Sequence, residues 1–131
     1  MKTKTILITG GESGVGAATA RALAAQGHKV LITSRDAEDG AQLCQEINTA
    51  FPRANIKNLV LDLSSFSSIR LFCSKLEKEY DAIDVLINNA SLAPLTKQKT
   101  RDGFEAQFGA NYLGHFLLTQ LLLDLLNEAS R

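Results

Sequence analysis

The stretch Thr9-Gly10-Gly11-Glu12-Ser13-Gly14-Val15-Gly16 decides the fold. It follows a short apolar run, Ile6-Leu7-Ile8, and leads into an alanine-rich segment of helical spacing from Gly14 to about Gln26. A strand that ends on glycines and turns at once into a helix is the start of a β-α unit. The glycines allow positive φ in the turn. They also let backbone approach a pyrophosphate, for which the helix N-terminus supplies free N–H groups and partial positive charge. An ordinary glycine-rich turn is the plain alternative. Two better-known loops do not fit. Gly11 and Gly16 have the spacing of a Walker A loop, but Ala17-Ala18 stand where Lys and Ser or Thr are required. The common dinucleotide fingerprint, started at Gly14 and Gly16, would need a third glycine at Thr19. What remains is Gly10, Gly14 and Gly16 behind Thr9.

Outward from this loop the pattern repeats. In the first helix Val15, Ala18, Ala22 and Ala25 lie on one side, and Gly27 stands where a C-terminal glycine cap belongs. Val30-Leu31-Ile32 is a second strand. A polar helix follows from about Ala37 to Thr49, with Ala41, Leu43, Cys44 and Ile47 as its buried positions, and Phe51-Pro52 breaks it. Leu59-Val60-Leu61 is a third strand closed by Asp62. The serines from Ser64 to Ser68 open a helix that runs to about Tyr80, with Ile69, Phe72, Cys73 and Leu76 at core spacing. Val85-Leu86-Ile87 is a fourth strand followed by Asn88-Asn89-Ala90. Ser91 to Lys99 reads as a loop, and one long helical segment is expected from about Asp102 to Asn127. Short apolar strands alternating with helices indicate a parallel sheet covered on both faces, an α/β doubly wound architecture. The expected strand order is 3-2-1 with the fourth beyond the first. The ligand crevice then falls at the switch point, where Gly10 to Gly16 and Asn88 to Ser91 lie.

Length and composition narrow the classes. The chain has 131 residues, enough for one domain over 1–131, with 45% hydrophobic and 21% charged residues. Lysine plus arginine and aspartate plus glutamate stand at 14 each, so no basic excess points to nucleic acid. Cys44 and Cys73 fit neither a disulfide framework nor a zinc site, which makes a reducing, cytoplasmic setting the expectation. His28 and His115 lack a second ligand at metal spacing and read as structural, so no metal is expected. No secretory signal is evident. The most apolar stretch, Leu113 to Leu126, contains Gly114, His115, Thr119, Gln120 and Asp124 and reads as a buried helix.

Four motifs in order resemble the short-chain dehydrogenase/reductase family: Thr9-Gly10-x-x-x-Gly14-x-Gly16, Asp62-Leu63, Asn88-Asn89-Ala90 and Asn111. The run from Gly103 to Thr119 is similar to the retinol-dehydrogenase-like branch in particular. The resemblance implies a Rossmann-type sheet and hydride transfer between an alcohol and a carbonyl. It places cofactor contacts at Thr9, Gly10, Ser13, Gly14, Val15 and Gly16, at Asp62 and Leu63 beside the adenine, and at Asn89 and Ala90. It makes Asn111 an active-site residue. Asp62 also reads as a helix cap, although the serine run makes capping redundant. The Asn88-Asn89 pair also reads as a simple turn, and the resemblance implies that one of the two stabilises the sheet. Ser91 stands where the family usually has glycine, which sets the backbone there slightly farther from the cofactor.

The end of the second strand chooses between cofactors. An acidic residue about 20 positions past the glycine loop suits the ribose of NAD, and an arginine suits the 2′-phosphate of NADP. Thr33-Ser34-Arg35-Asp36 stands here, and the resemblance places the NADP-type arginine at Arg35, with Ser34 adding a hydroxyl. NADP over NAD is therefore expected. A solvated surface arginine is the alternative, and Glu12 and Asp36 bring negative charge nearby.

The family's chemistry also needs a Tyr-x-x-x-Lys pair and a serine. Tyr80 has Asp84 at i+4 and Tyr112 has Phe116, so neither tyrosine supplies it. In the family these groups lie on the fifth strand and the helix after it, beyond Ser130-Arg131. The chain is thus expected to be the cofactor-binding part of an oxidoreductase, inactive alone and truncated after four strands and the following helix. Its complete form would take an alcohol or carbonyl that the branch resemblance makes lipophilic. A non-catalytic nucleotide-binding or regulatory module that pairs with a full-length relative is the alternative. A scaffold whose glycine loop binds nothing is a third reading, supported by Glu12 and Ser91. Apolar residues surround the last helix and the fourth strand is an edge, so self-association through either is expected.

Overall fold

The computed structural model describes residues 1–129. Ser130 and Arg131, where the approach to a fifth strand was expected, lie outside the described residues. Strands β1 (Thr5–Ile8), β2 (Lys29–Ser34), β3 (Asn55–Val60) and β4 (Val85–Ile87) form one sheet in the order β3-β2-β1-β4, parallel throughout. Helices α1 (Gly14–Ala25), α2 (Ala37–Ala50) and α3 (Phe66–Glu79) connect them. The expected order and all four strands are present. Side chains alternate across the pleat and find a core on each side. Ile6, Ile8, Val30, Ile32 and Ile56 pack with α1 and α2. Leu7 and Leu31 pack with α3 and the C-terminal helices. Cys73 belongs to the second core and Cys44 to the first, so the sheet separates the two free thiols. Burial raises both, that of Cys73 to about 11.

Several local expectations are corrected. The face of α1 that meets the sheet carries Gly16, Ala20 and Ala24, whereas Val15, Ala18, Ala22 and Ala25 are exposed. An alanine-rich helix has little amphipathic contrast, and close approach selects its smallest side chains. In α2 Leu43, Cys44 and Ile47 are buried as expected, but Gly40 is the fourth buried residue and Ala41 is exposed. β3 runs from Asn55 to Val60, earlier than the expected Leu59–Leu61, because its first four residues, Asn-Ile-Lys-Asn, are mostly polar. α3 buries the four residues expected, and Gly27 follows α1 at φ 84° with its N–H on the Ala24 carbonyl.

The last segment is not one helix from Asp102. Residues 101–104 form a turn in which the Asp102 carboxylate accepts from the Phe66 N–H at the start of α3. Helix begins shortly after, opens into a π-helical stretch over Phe108–Gly114, and continues as α4 (His115–Leu121) and α5 (Leu123–Asn127). Side-chain donors compete for its backbone carbonyls: His115 Nδ1 bonds the Asn111 carbonyl and Thr119 Oγ1 the His115 carbonyl. Leu118, Leu122 and Leu125 face the core, while Phe108, Tyr112, Phe116 and Leu123 are exposed. Among the described residues no helix is long and apolar enough to cross a membrane.

Leu31 is fully buried and Val60 is 55% exposed. Urea denaturation should show Leu31→Ala to cost about 3 kcal/mol and Val60→Ala less than ~1 kcal/mol.

Candidate functional site

β1, β2 and β4 end together, and their exits are stitched to one another. The Thr9 N–H donates to the Ile87 carbonyl at 3.0 Å and the Gly11 N–H to the Thr33 carbonyl at 3.3 Å. Thr9 is wholly buried, and its hydroxyl accepts from the N–H groups of Asn89 and Ala90, each at 3.0 Å. With its lone pairs so used, the hydroxyl proton points to His115 Nε2 at 2.8 Å. His115 therefore carries its own proton on Nδ1, which donates to the Asn111 carbonyl at 2.9 Å. Burial holds the imidazole below its ordinary pKa. The Asn89 amide closes the junction by donating to the Thr9 and Gly10 carbonyls at 3.1 Å each. Of the asparagine pair, Asn89 thus ties the two strand exits together, while Asn88 bonds Thr119.

The glycines serve this junction in different ways. Gly10 has φ 62°, and a Cβ on it would stand 2.8 Å from Ala90 Cα. A Cβ on Gly16 would meet Asn89 Nδ2 at 2.5 Å, so α1 lies directly against the strand exits. Gly11, which the motif leaves unspecified, must be small because Ile32 lies 2.5 Å from its Cβ position. Gly14 faces open space. Ser13 is the N-cap of α1, yet its side chain caps nothing, and the first turn holds no acidic residue. The free N–H groups of α1 remain for an outside acceptor.

A cleft of about 370 Å³ lies over these exits, within the size range of ligand sites. Of the expected residues, Gly10, Ser13, Val15, Ser34, Arg35, Asp62, Leu63, Asn89, Ala90 and Asn111 line it. Thr9, Gly14 and Gly16 do not: Thr9 and Gly16 are buried behind it, and Gly14 is exposed. Glu12, Thr33, Leu61, Ser64, Ser91, Leu92 and Ala110 line it too. These are sequence neighbours of the motifs, and the strand-end positions of the motifs were the only signal for them. Glu12 brings one buried carboxylate oxygen with no hydrogen-bond partner among the described residues.

Three of these side chains are held by bonds of their own. The Ser34 hydroxyl turns inward to the Asp36 carbonyl at 2.5 Å and Asn58 Oδ1 at 3.0 Å, and the residue is 4% exposed. Asp62 accepts from the N–H and hydroxyl of Ser64 on Oδ1, so it orders the turn before α3 while Ser65 caps the helix. The serine run therefore does not make Asp62 redundant; the two divide the work. Both amide atoms of Asn111 bind the backbone of Leu92, at 2.7 and 2.9 Å, so the side chain holds the loop after β4. Asp36 caps α2 by accepting from the Glu38 N–H, and exposed Arg35 makes no ion pair among the described residues.

The sequence model of the short chain dehydrogenase family matches residues 4–131. The chain belongs to this family. It is similar to retinol dehydrogenase 14 of Mus musculus, 49% identical over 140 residues that cover 99% of this chain and 42% of the relative. It is also similar to polyprenol dehydrogenase of Homo sapiens, 43% identical over 94% of this chain and 37% of the relative. The chain thus spans about two-fifths of these relatives. Among solved structures, a metagenomic short-chain oxidoreductase in complex with NADP superposes with a TM-score of 0.77 at 29% identity, over 92% of this chain and 55% of the other. The family is one of nicotinamide-dinucleotide oxidoreductases, and the retinol-dehydrogenase-like character read from the sequence stands.

Asn89→Ala leaves the Thr9 and Gly10 carbonyls without their donor, and thermal melts should show a loss of about 1–3 kcal/mol. A second expectation concerns pH. The folded state holds His115 neutral below the ordinary value of 6.5 while the unfolded chain protonates it there. Unfolded chain then binds the extra proton, so the contribution of this residue is complete above pH 6.5 and is lost as pH falls below it. Denaturation series from pH 8 to 5 should show that decline, and His115→Gln should flatten it.

Proposed function

We propose that the chain forms the cofactor-binding part of an NADP-dependent oxidoreductase that interconverts an alcohol and a carbonyl. One observation carries this reading: exposed Arg35, without an ion pair among the described residues, lies in the same cleft as the uncapped start of α1. The spacing of glycine loop and arginine suits a dinucleotide with a 2′-phosphate. The residues fit such a group, because close packing at Gly10 and Gly16 keeps the loop thin beneath it. NADP, when bound, supplies the hydride acceptor or, reduced, the donor.

In this reading the N–H groups at the start of α1, with Gly10 and Ser13, hold the pyrophosphate, and Thr9, Gly14, Val15 and Gly16 shape its seat. Arg35 holds the 2′-phosphate. Asp62 and Leu63 border the adenine, the Asp62 Oδ2 atom being left by the Ser64 bonds. Asn89 and Ala90 set the floor, and Asn111 is a positioning residue for the loop at Leu92. Relatives named for retinol and polyprenol support a lipophilic alcohol or aldehyde as substrate of the complete protein. The buried free thiols support a cytoplasmic location. Titration with NADPH and NADH, followed by nucleotide fluorescence, tests the assignment. NADPH should bind more tightly. Arg35→Ala should weaken NADPH about tenfold or more and leave NADH nearly unchanged; an Arg35→Ala chain that keeps the preference rejects it.

A second reading, a non-catalytic module that pairs with a longer relative or with itself, is favoured by the exposed Phe108, Tyr112 and Phe116 face and the half-buried edge strand β4. Size-exclusion chromatography should then show the chain eluting above its monomer mass, and Phe116→Lys should shift it down.

A further inference from the structure

Arg35 lies between two tethered residues. On one side the buried Ser34 hydroxyl shares its proton between the Asp36 carbonyl, 2.5 Å away, and Asn58 Oδ1, 3.0 Å away. On the other, Asn58 Nδ2 donates to the Ala37 carbonyl at 3.4 Å. Asn58 thus reaches from β3, where it pairs with Ile32 of β2, to both ends of the turn that carries the arginine. The turn is also the entry to α2, whose cap is Asp36.

A carboxamide half-buried on a strand of a two-sided sheet is itself unusual, since such strands are mostly apolar. The helix above makes room for it. Gly40 is buried inside α2, and a Cβ there would collide with the Asn58 carboxamide. Glycine weakens a helix interior, so the position is occupied by a residue that suits Asn58 rather than α2.

We propose that Asn58, seated under Gly40, is a specificity-positioning residue: it holds the Ser34–Ala37 turn so that the Arg35 guanidinium faces the cleft, and it thereby sets the discrimination between NADPH and NADH. This rests on the assignment of Arg35 to the 2′-phosphate. Asn58 has no charge of its own to offer the phosphate, and its side-chain bonds among the described residues go to the turn. Its effect is therefore on NADPH alone, through the cost of ordering the turn when the phosphate binds.

The test uses the 131-residue chain and two variants. Asn58→Ala removes the tether. Asn58→Ala with Gly40→Ala also refills the vacated space, and circular dichroism and a thermal melt establish that it folds. NADPH and NADH are titrated separately. The expected result for both variants is an NADPH Kd raised about tenfold with the NADH Kd changed by less than about twofold. In an Arg35→Ala background the Asn58 change should add nothing further, because both act on the same contact. A folded double variant that keeps the wild-type NADPH/NADH ratio, or that weakens both nucleotides equally, overturns the proposal. Loss of preference in Arg35→Ala together with an unchanged ratio in the Asn58 variants rejects Asn58 alone. A wild-type chain with no preference rejects Arg35 and Asn58 together.

Discussion

The buried Thr9 hydroxyl is the constraint on which the rest depends. It accepts from two successive backbone N–H groups after β4 and gives its own proton to a histidine on the C-terminal helical segment. A hydroxyl has only this capacity, so its three partners fix one another. The Asn89 amide then reaches back across the same gap to the β1 exit. The cleft floor is therefore set by groups that never face the cleft. Buried polar networks of this kind carry weight when every member is satisfied and become costly when one is removed.

Much of the fold was legible because period and punctuation agreed. The four apolar strand centres, the glycine loop and the buried face of α3 follow from spacing alone, and β3-β2-β1-β4 follows from the rules for parallel crossovers. What escaped had physical reasons. The face of α1 could not be chosen among alanines, since contrast in hydrophobicity is what marks a face. The π-helical stretch left the apolar pattern of the last segment intact, so periodicity carried no sign of it. At the site, residue types located the cleft but not the direction of each side chain. Ser34 turns inward because Asn58, a residue with no motif around it, lies beneath. Asp62 serves its own turn, and Asn111 is bound to Leu92.

Family membership and structure speak to different parts of the chemistry. The likeness extends over nearly the whole of this chain and about two-fifths of the relatives, and the cofactor side of the chemistry is the part proposed for it. Its cleft pairs the free N–H groups at the start of α1 with an arginine that makes no ion pair among the described residues. This division is natural for a doubly wound sheet, in which the first β-α-β units build one wall of the crevice and later strands the other.

The sheet also separates a core of short sequence range from one of long range. The core beneath α1 and α2 draws its buried residues from positions 6–56, whereas the opposite core reaches from Leu7 to Leu125. Closing short loops costs less chain entropy than closing long ones, and local contacts form faster. A chain emerging from the ribosome can bury much of the α1–α2 side before α4 and α5 exist to cover the other. The glycine loop gains the Thr9–His115 bond only with α4, so the junction at His115 is what the last helix locks into place.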